Sequence, residues 1–119
     1  MAREGVAVLQ IIGYKSCPES RKALRFCKEA GIEHQFVDLK ERELSKGEWT
    51  KIFAKFAGET LINIESSYYK KEGYAWRSYD AKEELIEHPE LLKTPILKEG
   101  NKVGIGFDLD FLNAFRSRL

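Results

Sequence analysis

The feature that most constrains the fold of this 119-residue chain is a strand–helix–strand pattern in its N-terminal third. Residues Val6 to Ile12 form a short, continuously apolar run rich in β-branched side chains, which suits a strand buried on both faces, and Gly13 ends it. From Pro18 the apolar residues Ala23, Leu24, Phe26, Cys27 and Ala30 recur at helical spacing. Proline stands at the first helical position and Gly31 just past the end. Glu33 to Leu39 carries Phe36, Val37 and Leu39 between turn signals and reads as a second strand. A unit of this length favours parallel pairing through a right-handed crossover.

The middle of the chain reads as helical. Ser45 and Glu48 fit a capping box, after which Trp49, Ile52, Phe53 and Phe56 make one apolar face ending at Gly58, with Trp49 counted as core. Leu61 to Trp76 starts apolar and continues into a short capped helix at residues 66–73, and Asp80 caps a further helix running to Leu92. Tyr68, Tyr69, Tyr74 and Trp76 are expected to be core of this insertion rather than a ligand groove. Beyond it, Pro95-Ile96-Leu97, a turn at residues 99–102 and Val103 to Phe107 read as a β-hairpin. Asp108 then caps a last helix carrying Leu109, Phe111, Leu112 and Phe115. The order β-α-β, helices, β-β-α predicts an α/β, thioredoxin-like fold: a four-stranded mixed sheet with helices on both faces and a helical insertion in the middle. The expected layout is a single domain over residues 1–119, with its core at about 5–40 and 93–119 and the insertion at about 41–92.

Composition removes several functions. A net charge of +1 gives no electrostatic footprint for direct nucleic-acid binding. No stretch approaches the roughly 18 apolar residues of a membrane span. Residues Met1 to Gly5 lack the features of a secretory signal, so a cytoplasmic protein with reduced thiols is expected. His34 and His88 have no cysteine or carboxylate at ligand spacing and read as surface histidines, so no metal is expected. Gly104 and Gly106 lack the third glycine of a dinucleotide fingerprint and instead mark a bulge or close backbone approach.

Chemistry concentrates on Cys17, at the seam between the first strand and the first helix. A thiol at a helix start faces unpaired N–H groups and the positive end of the helix dipole, which favour its thiolate. Lys15, Arg21 and Lys22 are within reach of the same helix end, and each cation would add to that effect. Cys27 lies on the apolar stripe of the helix. At about 1.5 Å per residue it stands roughly 15 Å from Cys17, beyond the roughly 7 Å a disulfide allows. Ser20 occupies the position where a C-x-x-C motif has its second cysteine; it either donates to the thiolate or is an exposed first-turn residue, and the site is monothiol. Thr94-Pro95 opens the third strand, either as a tolerated strand start or as a cis bond whose turn packs against the cysteine loop.

These motifs together resemble the arsenate reductase-like group of thioredoxin-fold proteins, which includes arsenate reductases and Spx-type transcription regulators. The resemblance spans Gly13-Tyr14, Cys17 with Ser20 to Ala23, Gly31-Ile32, Leu61-Ile62-Asn63, Glu87 to Ile96 and Val103-Gly104, with the His88-Pro89…Pro95-Ile96 segment the most specific part. In that group the reductases place three arginines around the cysteine to hold an oxyanion, and the corresponding residues here are Asn63, Thr94 and Gly106. Without charge-assisted bidentate bonds, efficient arsenate reduction is not expected. Arg77, in the insertion, is the basic residue that could take their place. The Spx-type switch is a C-x-x-C pair, which Ser20 breaks; C-P-x-S followed later by Thr-Pro is similar to a glutaredoxin-type site. The resemblance therefore implies a thiol-dependent oxidoreductase with Cys17 as nucleophile, Lys15, Ser20 and Arg21 supporting its charge, and Thr94 and Pro95 shaping a groove. No tightly bound cofactor is implied, and glutathione, another small thiol or a thiol–disulfide protein would be the partner. The alternative it implies is a non-enzymatic regulator docking on an RNA polymerase subunit.

Overall fold

The structure, a computed structural model, describes residues 8–118. Met1 to Ala7, including the first two residues of the expected first strand and the segment read for a secretory signal, lie outside the described residues. Four strands, β1 (Leu9–Gly13), β2 (His34–Asp38), β3 (Ile96–Glu99) and β4 (Lys102–Ile105), form one sheet in the order β2-β1-β3-β4. β1 runs parallel to β2, with Leu9 opposite His34 and Gly13 opposite Asp38. It runs antiparallel to β3, with Ile11 opposite Leu97, and β3 runs antiparallel to β4, with Leu97 opposite Gly104. The mixed sheet and thioredoxin-like order match the expectation.

The chain divides into two compact units, one made by the chain up to Glu43 together with the chain from Thr94, the other by Leu44–Lys93. In the first, α1 (Pro18–Ala30) and α6 (Leu109–Ser117) share one face of the sheet, because Ala23, Cys27, Leu112 and Phe115 bury together with Leu9, Ile11 and Leu97. Leu9 and Ile11 alternate onto that face, and Leu97 joins them as the cross-strand partner of Ile11. Gly104 lies beside Leu97, where a Cβ would come within 2.9 Å of the Phe111 ring, so the glycine lets α6 approach the sheet. Asp108 caps α6 by accepting from the Phe111 amide at 3.0 Å.

The second unit holds α2 (Lys46–Lys55), α3 (Gly58–Leu61), α4 (Ser67–Lys71) and α5 (Ala81–Glu87). The Ser45–Glu48 capping box forms as read, and Ser66 and Asp80 cap α4 and α5. Several boundaries differ from the sequence reading, each for a local reason. α2 stops at Lys55 because Phe56 turns extended, and Gly58 opens a separate short helix packed against Ala81 and Lys82. α5 stops at Glu87 because Pro89 disfavours helix at His88 and has no N–H to continue the ladder; a 3-10 turn, Pro89–Leu91, follows. β1 includes Gly13, and β4 ends at Ile105, before the positive φ of Gly106.

The aromatic group also needs correction. Tyr74 is buried, Tyr68 and Tyr69 are half-buried, but Trp76 is 91% exposed on a 3-10 turn and is not core. The histidines are half-buried rather than surface groups: His34 Nδ1 lies 2.9 Å from the Ile32 carbonyl, and His88 Nδ1 lies 3.0 Å from the Tyr68 hydroxyl.

Candidate active site

β1 delivers the chain to the site and α1 carries it away. The Cys17 amide donates to the Tyr14 carbonyl at 3.0 Å, which closes a turn, and the Cys17 carbonyl accepts from Arg21 at 3.0 Å as the first helical bond. Cys17 is thus the N-cap residue of α1, with extended φ and ψ of −81° and 120°, and Pro18 is the first helical residue. Its side chain stands where a capping oxygen would, facing the amides of the first turn.

The sulfur is gripped by Thr94, which β3 brings alongside β1. The Thr94 hydroxyl donates to Cys17 Sγ at 3.2 Å, and the thiol donates back to the Thr94 carbonyl at 3.6 Å. The Thr94-Pro95 bond is cis, and Pro95 is buried, its carbonyl accepting from the Gly106 amide at 2.7 Å. Ser20 lies on the inner side of α1, fully buried against Gly13; a Cβ on Gly13 would overlap Ser20 Oγ and come within 3.4 Å of Thr94 Cβ. Gly13 therefore makes the space in which Cys17, Ser20 and Thr94 meet.

Burial pushes the Cys17 pKa up, but the hydroxyls of Ser20 and Thr94 and the amides of Ser20 and Glu19 outweigh it, and the net direction is below an ordinary thiol. Ser20 Oγ makes no hydrogen bond among the described residues. It lies beside the sulfur, near enough to lower the pKa although outside full hydrogen-bond geometry.

The cations expected beside the sulfur have other partners. Lys15 is extended into solvent, 4.0 Å from both Asp38 and Glu41, and Arg21 donates to the Lys15 carbonyl at 3.1 Å. Lys22 pairs with Glu19 at 3.8 Å. The groups that lower the Cys17 pKa are uncharged, namely two hydroxyls and two helix amides. The arginine-equivalent positions are occupied in their own loops. Asn63 Oδ1 accepts from the Glu65 amide at 3.0 Å, Thr94 bonds the sulfur, and Gly106 turns the chain after β4. Arg77 stacks over Tyr74, 4.0 Å from its ring centroid, and lies 4.0 Å from Glu84. Among the described residues no group of three or more His, Cys, Asp or Glu is arranged to hold a metal.

Sequence reasoning named Thr94 as a groove residue and missed its hydroxyl as a donor to the sulfur. It also missed Gly13 as the residue that makes room for Ser20. The available signal was chemical: a hydroxyl side chain precedes Pro95, and a glycine ends the strand that leads to the cysteine.

Comparison with known proteins finds relatives of the chain. The sequence profile of the ArsC family matches residues 12–115. An uncharacterized protein of Haemophilus influenzae is 28% identical over 112 residues, covering 85% of this chain and 92% of that protein. The global transcriptional regulator Spx 2 of Oceanobacillus iheyensis is 29% identical over 108 residues, covering 87% of this chain and 80% of the regulator. Among solved structures, the YFFB protein superposes with a TM-score of 0.77 at 23% identity, covering 89% of this chain and 96% of that one. An arsenate reductase from Vibrio cholerae superposes with a TM-score of 0.73 at 20% identity, covering 91% and 97%. At these identities the structural likenesses establish the fold.

Proposed function

The chain belongs to the ArsC family, and on that premise we propose that it is a thiol-dependent oxidoreductase in which Cys17 is the nucleophile. The observation that carries this reading is the sulfur itself, set at a helix start, bonded by the Thr94 hydroxyl at 3.2 Å and biased toward its thiolate. The thiolate attacks one sulfur of a disulfide R–S–S–R′, forming Cys17–S–S–R and expelling R′S⁻. A second thiolate, from glutathione or a similar small thiol, then attacks the R-side sulfur of that mixed disulfide and expels the Cys17 thiolate, which regenerates the protein. Resolution is external because Cys27 is fully buried in the core, where burial pushes its thiol up to about 11. A cytoplasmic location, where thiols stay reduced, fits this chemistry.

An oxyanion substrate fits less well. Asn63, Thr94 and Gly106 supply no guanidinium, and Lys15, Arg21 and Lys22 have other partners. The decisive measurement is the alkylation rate of Cys17 against pH: the expected midpoint lies below the free-thiol value of about 8.5, and a midpoint at or above it overturns the reading.

The similarity to the global transcriptional regulator Spx 2 favours a second reading, in which the fold docks on the α subunit of RNA polymerase. Specific retention by that subunit, equal for the parent protein and Cys17→Ala, would make docking the main role. No retention would remove it.

A further inference from the structure

The second unit contains a cleft of about 450 Å³ that the cysteine chemistry does not use. Lys46, Trp49, Thr50 and Phe53 line it from one face of α2, being spaced at i, i+3, i+4 and i+7, and Leu44 and Ile86 complete the lining. Leu44 and Trp49 are buried and Phe53 is half-buried, while Ile86, on α5, is 51% exposed. The Trp49 and Phe53 rings stack with centroids 5.2 Å apart and planes 19° from parallel, which makes an aromatic wall. The volume lies within the roughly 300–1,000 Å³ of small-molecule sites, whose linings are mostly apolar with a few polar groups that set the ligand's orientation.

Two ammonium groups set that orientation here. Lys46 lines the cleft, and Lys82, one helical turn before Ile86 on α5, has its Nζ 5.5 Å from the centroid of the Phe53 ring. Neither lysine forms an ion pair among the described residues. The Thr50 hydroxyl donates to the Lys46 carbonyl at 2.9 Å, so its proton is already used. Glu83 and Glu87 line an adjoining recess that shares Ile86, and they disfavour a second negative charge on anything seated beside it. We propose that the cleft binds a small aromatic monocarboxylate, with the ring against Trp49 and Phe53 and the carboxylate held by Lys46 and Lys82. An aromatic amine of the same shape would meet like charge at both lysines.

Tryptophan emission reads the site directly. The chain has two tryptophans, and Trp76 is 91% exposed, so Trp76→Phe leaves Trp49 as the sole reporter. In that protein 3-phenylpropanoate is expected to change Trp49 emission saturably, with a midpoint of about 1 mM or below. The matched amine, 3-phenylpropylamine, is expected to bind about tenfold more weakly or worse. Replacing both lysines, Lys46→Gln with Lys82→Gln, should weaken the acid about tenfold and leave the amine no weaker, with the circular dichroism spectrum unchanged as the control for folding. No saturable change up to about 10 mM overturns the proposal, as does equal binding of acid and amine, or an acid affinity that the double replacement leaves unmoved. Tighter binding of N-acetylphenylalaninamide than of the acid would make the occupant an internal polypeptide segment. A protein that sediments as a dimer, and as a monomer after Ile86→Glu, would make it a second copy of the chain. Either result also overturns the proposal.

Discussion

The two cysteines of α1 carry the same side chain on the same helix, and their surroundings drive them in opposite directions. Cys17 is half-buried at the first turn, and its pKa lies below an ordinary thiol despite the burial that raises it, because the Ser20 and Thr94 hydroxyls and the Ser20 and Glu19 amides oppose that burial. Cys27 is fully buried among Leu9, Ile11, Ile32 and Phe115, where nothing offsets burial and the thiol is pushed up to about 11. The lesson is that hydrogen-bond donors, more than depth, decide whether a cysteine becomes a nucleophile or a small apolar side chain.

The sharpest challenge to that contrast is deletion of each thiol. Cys17→Ala should abolish disulfide exchange, a loss of about a thousandfold or more, while Cys27→Ala should leave the exchange rate of the folded protein unchanged. A comparable loss in both would erase the distinction.

Next in size is a stability effect confined to the core thiol. Cys27→Ser puts an unpartnered hydroxyl into the cluster and should lower stability by about 1–3 kcal/mol in urea unfolding, with the slope unchanged and the alkylation profile of Cys17 unmoved. This deficit should narrow above about pH 8.5. There the unfolded parent ionises Cys27 while the folded parent resists until about 11, so the parent loses stability as pH rises and the serine variant does not. Cys17 has the opposite sign: its lowered pKa contributes stability that is present above the unfolded value and is lost as pH falls through the folded value.

The smallest expected effect tests the donor count at Cys17. Thr94→Val keeps the shape and the carbonyl but removes the hydroxyl that reaches the sulfur at 3.2 Å. The alkylation midpoint should rise by up to about one unit, with a several-fold slower rate at neutral pH. An unchanged profile would show that the helix amides and Ser20 suffice.

Much of the fold was legible because it is local. The capping box at Ser45 and the caps at Ser66, Asp80 and Asp108 depend on residues three apart, and the apolar spacing of α1 depends on one helix face. Errors arose where a competing term sat outside the window. His88-Pro89 divided what read as one helix, since a proline restricts the residue before it. Trp76 read as core by composition, yet its 3-10 turn exposes it while Tyr74, two residues earlier, takes the buried position. Lys15 and Arg21 were close to Cys17 along the chain, but proximity in sequence does not set where a long, solvated side chain points.

The chain alone determined that Cys17 caps a helix, because Gly13, Pro18 and the apolar stripe beyond them specify strand, turn and first helical residue through local sterics and periodicity. Only the tertiary structure decided what holds the sulfur. Antiparallel pairing of β3 with β1 brings Thr94 across 77 residues of sequence to within 3.2 Å of it, and the missing side chain of Gly13 leaves room for the Ser20 hydroxyl. The physical reason is that a hydrogen bond needs donor and acceptor within about 3.5 Å and suitably aligned, and distant residues reach that geometry only when long-range strand pairing closes the loop between them.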